Sequence, residues 1–201
     1  MVAPRLGIVL LAAGRAQRLG RCKPLVPLRG RTLLAGALAA LALVGGPVRV
    51  VVPPRSPRLR AAVRAAGAIP VTNPERERGL STSIRRGLRA SREAGAVLFV
   101  PVDLPALERR ELARLVRCWQ GAPRRLIARR LGPDSGGIPL ILPRWLFGRA
   151  RTLRADQGLK ALLPAVGVAE RRLIALPSAA ADLDTPAELA RARRCWRPPA
   201  R

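Results

Sequence analysis

Short apolar runs alternate with helix-length amphipathic stretches along this chain, and that alternation restricts it to a layered α/β fold. Residues 6–12 form an unbroken apolar run. Such a run suits a parallel strand covered on both faces. Further strands are predicted at 48–52, 68–72, 96–102, 126–128, 138–142 and 173–176. Helices are predicted at 33–43, 57–66, 81–91, 108–119, 159–163 and 186–195. Their boundaries carry local signals: Thr32 as a cap, Ser56 before Pro57 as a cap with proline in the first turn, and Gly45-Gly46 and Gly67 as stops. Strand and helix in turn predict a single Rossmann-like three-layer domain with a mostly parallel central sheet. The domain is expected over residues 1–196, with 197–201 as a frayed tail. Residues 143–158 carry no readable pattern.

Composition removes several chemistries. The chain has neither histidine nor tyrosine, which excludes a histidine base, a histidine metal ligand and a tyrosine acid. Cys22, Cys118 and Cys195 are far apart and odd in number. They fit neither a zinc site nor a disulfide framework, and a reducing, cytoplasmic setting is expected. The formal net charge is +26, almost all of it arginine. This calls for either an anionic partner or an arginine-rich surface without a dedicated partner. The arginines are dispersed and aromatics make up only 2%, so the stacking platforms of a single-strand nucleic-acid binder are missing. Residues 33–44 are uncharged but too short to span a bilayer, and no membrane association is expected.

The first strand runs into Leu11-Ala12-Ala13-Gly14-Arg15-Ala16-Gln17-Arg18-Leu19-Gly20-Arg21-Cys22-Lys23. Glycines after a strand let backbone N–H groups approach an anion closely, and Arg18 and Lys23 can add direct charge on phosphates. The spacing is neither that of a P-loop nor that of a dinucleotide fingerprint. On these residues alone, an ordinary turn with solvated arginines fits equally well.

The run resembles the LAAGxSxRMGxxK signature of the nucleotidyltransferases related to molybdenum cofactor cytidylyltransferase and guanylyltransferase. Further segments resemble the family's motifs in the same order: Asn73-Pro74 through Gly79 to Ser83, Asp103-Leu104-Pro105, Gly136-Gly137-Ile138-Pro139, Asp156-Gln157-Gly158, and Asp182-Leu183-Asp184-Thr185-Pro186. The resemblance spans about residues 6–190. It implies transfer of a nucleotidyl group, with attack at the α-phosphorus of a nucleoside triphosphate and loss of pyrophosphate. Lys23, Arg18 and Asp103 are the implied catalytic residues. Leu11, Ala12, Ala13, Gly14, Arg15, Gly20, Lys23, Asn73, Ser81 and Ser83 would bind the nucleotide, with Ser81–Ser83 chiefly capping the helix that starts there. Asp103 and Asp184 would hold Mg²⁺, which takes one or two carboxylates plus phosphate oxygens and water. Taken singly, Asp103 reads first as a turn residue before proline, and Asp184-Thr185-Pro186 as a helix start with Glu188 completing a capping box; the loop and the order of the motifs turn the reading to a metal site. Gly137, Pro139 and Asp156 fall where the family holds its acceptor.

Three departures stand out. Ala16 replaces a small polar residue, Ile138 replaces the histidine of a GHP element, and Ala155 replaces a glycine. Ala13 is the residue typical of cytidylyl relatives, so the expected reaction is transfer from CTP to molybdopterin or its molybdenum complex. Molybdenum hydroxylases or their maturation factors would be the recipients. The alternatives are a related transferase acting on a sugar phosphate or other phosphorylated acceptor, and a non-catalytic module binding an anionic cofactor or nucleic acid.

Overall fold

The structure, a computed structural model, describes residues 5–14, 22–28, 30–179, 183 and 185–195. Nine strands are described: β1 (Leu6–Leu11), β2 (Pro27–Leu28), β3 (Arg31–Thr32), β4 (Val48–Val52), β5 (Ile69–Thr72), β6 (Ala96–Pro101), β7 (Leu126–Arg130), β8 (Gly136–Pro143) and β9 (Arg171–Ile174). Six α-helices are described: α1 (Leu33–Leu41), α2 (Pro57–Ala65), α3 (Leu80–Ala90), α4 (Arg109–Gln120), α5 (Phe147–Arg151) and α6 (Pro186–Cys195). Seven strands form one sheet in the order β5-β4-β1-β6-β8-β7-β9. β5, β4, β1 and β6 run parallel; β8 is antiparallel to both β6 and β7, and β9 returns parallel to β7. β2 and β3 make a small antiparallel hairpin of their own.

The three layers follow from the period-two alternation of the first strand. Ile8, Leu10 and Ala12 point into a core closed by α1, α2 and α4, through Leu34, Leu59 and Leu112 among others. Val9, Leu11 and Ala13 point to the opposite face, closed by α3 and α5 through Ile84, Leu88 and Phe147. Leu or Val side chains fully buried on these faces each contribute about 1.5–3 kcal/mol relative to exposure. Gly87 lets α3 lie directly on the sheet, since a Cβ there would sit 2.7 Å from Val9 Cγ1. No helix among the described residues is long and apolar enough to cross a membrane.

Several local expectations need correction. Thr32 does cap α1, its Oγ1 accepting from Ala35 N at 3.1 Å. Ser56 precedes α2 as expected, but its Oγ turns back to donate to Pro53 O at 2.6 Å and caps nothing. α3 begins at Gly79 without a cap from its own serines. Asp156 instead supplies an acceptor from across the molecule, taking Leu80 N at 3.3 Å. The expected helix near 159–163 is a 3-10 helix, Leu159–Ala165; Pro164 inside it lacks the N–H that α-helical bonding needs. The last strand lies two residues earlier than its apolar run suggests. As an edge strand, β9 tolerates Arg171 and Arg172, while Leu176 leaves the strand to fill the core. The unreadable stretch contains α5, preceded by a 3-10 turn at Arg144–Leu146.

Candidate active site

After β1 the chain visits β4 and β5 on one side, then crosses to β6 on the other. This reversal opens a crevice at the carboxyl ends of β1 and its neighbours, where open α/β sheets bind ligands. Backbone hydrogen bonds carry the strand alignment past the strand ends: Ala12 N donates to Val51 O at 2.9 Å, Val102 N to Leu11 O at 3.1 Å, and Asn73 N to Val52 O at 2.9 Å. The residues just beyond β1, β4, β5 and β6 are therefore delivered to one end of the sheet.

Lys23 and Asp103 meet there. Lys23 Nζ lies 2.8 Å from Asp103 Oδ2, across 80 positions of sequence. Lys23 sits in the 3-10 turn Lys23–Leu25, opened by Cys22 and stiffened by Pro24, and is itself buried. Pairing offsets the desolvation of a buried ammonium. The side chain of Asp103 is 26% exposed, so one face of the carboxylate remains open to a ligand. Lys23 lines a cleft of about 800 Å³; Asp103 is not among the lining residues and reaches the cleft through its partner. Ala12, Gly14, Cys22 and Lys23 form one wall, and Pro53, Arg55, Arg58 and Arg76 another. Burial pushes the Cys22 thiol up from its ordinary value.

The second wall was not foreseen. Pro53-Pro54 reads in sequence only as a strand stop, although its place at the carboxyl end of β4 is the signal that assigns it to the crevice. Arg55 adopts φ +50° in this turn, an uncommon conformation for a residue other than glycine.

The remaining candidates separate. Leu11 and Ala13 are buried in the core on the α3 face, and among residues 11–14 only Ala12 and Gly14 line the cleft. The methyl group of Ala13 therefore does not border the cleft. Asn73, Ser81 and Ser83 are also buried, and they satisfy one another or their neighbours. Asn73 Nδ2 donates to Thr82 Oγ1 at 2.8 Å and to Ser83 Oγ at 3.0 Å, while its Oδ1 accepts from Glu75 N at 3.1 Å. This network ties the end of β5 to the first turn of α3. Gly79 is required at the junction: its φ is +102°, and a Cβ there would sit only 2.2 Å from the carbonyl carbon of Ala155.

Gly137 and Pro139 are buried within β8, an interior strand, and line neither the cleft nor the cavity that holds Asp156; the Ile138–Pro139 bond is cis. Asp156 lines a separate cavity of about 610 Å³ with Gly136, Lys160 and Arg171. Among the described residues, this cavity and the cleft have no lining residue in common. Arg15, Arg18, Gly20 and Asp184 lie outside the described residues. So do Ala16 and Asp182.

A buried lysine on a half-open carboxylate, at the crevice of a mostly parallel sheet, is an arrangement suited to phosphate chemistry. The sequence profile of the MobA-like NTP transferase domain matches residues 8–171. The chain belongs to this family. It is 29% identical over 197 residues to a probable molybdenum cofactor guanylyltransferase of Rhodopirellula baltica, covering 92% of this chain and 90% of that protein. Among solved structures, it superposes on Rv0371c of Mycobacterium tuberculosis with a TM-score of 0.75 at 27% identity, covering 96% of this chain and 98% of the other. A manganese complex of Rv0371c superposes with a TM-score of 0.70 at 24% identity, covering 95% and 98%. As a member of the family, the chain is a nucleotidyltransferase.

Hard carboxylate oxygen is the donor that Mg²⁺ and Mn²⁺ prefer. Among the described residues no group of three or more His, Cys, Asp or Glu gathers in one place. Asp103 fits a cation that takes one or two carboxylates and completes its shell with phosphate oxygens and water, not a cage built wholly from protein.

Proposed function

We propose that this chain transfers a nucleotidyl group from a nucleoside triphosphate to molybdopterin or its molybdenum complex and releases pyrophosphate. The observation that carries this reading is the pairing of Asp103 with Lys23, which lines the cleft. An oxygen of the acceptor's phosphate attacks the α-phosphorus, and the bond from that phosphorus to the bridging β-phosphate oxygen breaks. Such a reaction depends on positioning and on neutralising charge. Lys23, restrained by its turn and by Asp103, supplies positive charge to the α-phosphate. The loop that contains Gly14, Arg15, Arg18 and Gly20 is assigned to the β- and γ-phosphates. A divalent cation, Mg²⁺ by this reading, supplies further charge neutralisation when bound by Asp103 and Asp184. Asn73, Ser81 and Ser83 support the cleft from within the fold. Asp156 is assigned to the acceptor, with Gly137 and Pro139 acting through their neighbour Gly136, which lines the same separate cavity as Asp156.

The donor proposed is CTP, on the Ala12-Ala13-Gly14 sequence of the loop. GTP is the second reading. It is favoured by the name of the Rhodopirellula relative and by the position of Ala13 away from the cleft. Pyrophosphate release with Mg²⁺ and molybdopterin, comparing CTP, GTP and ATP, tests both. Release with CTP alone supports cytidylyl transfer, and release with GTP alone replaces it with guanylyl transfer. Release with neither, in a protein that binds a metal–nucleotide complex, overturns the acceptor.

A further inference from the structure

Asp103 opens the loop that leads from β6 into α4, and residues 176–179 and Leu183, which fall between β9 and α6, brace this loop at its two ends. At the Asp103 end, Leu183 N donates to the backbone carbonyl of Asp103 at 3.2 Å. At the α4 end, Ser178 Oγ accepts from Glu108 N at 3.1 Å. Ser178 is in turn fixed by Glu111, in the first turn of α4: Ser178 N donates to Glu111 Oε1 at 3.1 Å, and Ser178 Oγ donates to Glu111 Oε2. Glu111 is only 7% exposed. A carboxylate in such a place is costly unless hydrogen-bonded, and here both of its oxygens are used. Between the two ends, the bracing residues Leu176, Ala179 and Leu183 pack in one core cluster with Leu104 and Leu107 of the loop.

We infer that Glu111 and Ser178 are positioning residues for Asp103. They fix the α4 end of the loop that Asp103 opens, and the core shared by Leu176 and Ala179 with Leu104 and Leu107 carries that restraint to the peptide of Asp103, while Lys23 engages its side chain. Neither residue lines the cleft, so their effect on the site passes through the backbone. The inference rests on the reading of Asp103 as a cation ligand. Residues that orient a ligand from behind set metal affinity, and losing one typically weakens binding by about 10–100-fold.

The test is direct binding of Mn²⁺ to the protein, read from the paramagnetic resonance signal of free Mn²⁺, beside a thermal melt of each variant. Glu111→Ala and Ser178→Ala are expected to weaken Mn²⁺ binding about tenfold or more. Glu111→Gln, which keeps one acceptor for Ser178 N, is expected to recover part of that loss. Leu126→Ala in β7 controls for stability: its Tm falls at least as far while Mn²⁺ affinity is unchanged. Equal weakening in Leu126→Ala reduces the clip to ordinary structural support and overturns the inference. Unchanged affinity in Glu111→Ala and Ser178→Ala, with binding lost in Asp103→Ala, overturns the inference alone. Unchanged affinity in Asp103→Ala overturns the cation reading, and the inference with it.

Discussion

Lys23 combines three requirements in one residue: burial, a charge and a fixed direction. Pro24 limits the backbone of its turn, and Asp103 anchors Nζ at 2.8 Å. Lys23→Ala should lower kcat/KM by about 10²–10³-fold, or about 3–4 kcal/mol of transition-state stabilisation, as for loss of one preorganised charge donor. Lys23→Arg should recover little of this, because a planar guanidinium cannot take the place of a compact ammonium in a buried turn. Steady-state pyrophosphate release on the two variants checks both expectations. Recovery of most of the activity in Lys23→Arg would mean that charge alone matters there. The fall should appear in kcat more than in KM if Lys23 acts on charge that develops during transfer.

At the scale of elements, β1, β4 and β6 are legible as short apolar runs and α4 as an amphipathic helical period. The β2–β3 hairpin is not, since two-residue strands leave no periodic signal, and neither is the antiparallel sense of β8, which depends on the whole sheet. The pairing of Lys23 with Asp103 lies in two recognisable motifs, but their contact is a property of the β1–β6 register. The Glu111–Ser178 contact carries no sequence signal, because it joins two elements 67 positions apart. It does carry a measurable consequence. Burial, more than any other influence, pushes the Glu111 carboxyl above its ordinary value of 4.5. Glu108 adds to the rise, and the Ser178 N–H, Arg110 and Arg114 oppose it. The folded state thus holds this proton more tightly than the unfolded chain. The stability that the proton contributes is complete below pH 4.5 and is lost as pH rises through the elevated folded value. Wild type is therefore expected to lose stability relative to Glu111→Gln across that window. Chemical denaturation of the pair between pH 4 and 7 measures the difference; a wild type that instead gains stability relative to Glu111→Gln as pH rises would show that the carboxylate is net stabilised.

For the whole molecule the question is what a net charge of +26 is for. Many guanidinium groups are already engaged within the fold. Arg85 donates to Leu153 O, Arg130 to Leu173 O, Arg149 to Ala165 O and Arg171 to Leu163 O, while Arg144 reaches both Arg92 O and Ala94 O. These arginines satisfy carbonyl groups in loops and at element ends, where backbone bonding is incomplete. They keep their charge while doing so, and the molecule as a whole must attract polyanions. The two kinds of binding differ in their response to salt. Duplex DNA held by about six or more phosphate contacts should lose about 10³-fold or more in affinity between 50 and 200 mM salt. On the proposed function, a metal–nucleotide complex in the cleft would meet Lys23 at short range in a partly buried setting, where screening is weak, and its affinity should fall far less. Parallel titrations of a random-sequence duplex and of CTP or GTP with Mg²⁺, at both salt concentrations, separate the two. A shallow salt dependence for DNA, with discrimination among sequences, would make nucleic acid a specific partner and give the charge a function of its own. A steep and sequence-blind dependence beside a steady nucleotide affinity would leave recognition to the cleft, with the surrounding arginines serving the fold.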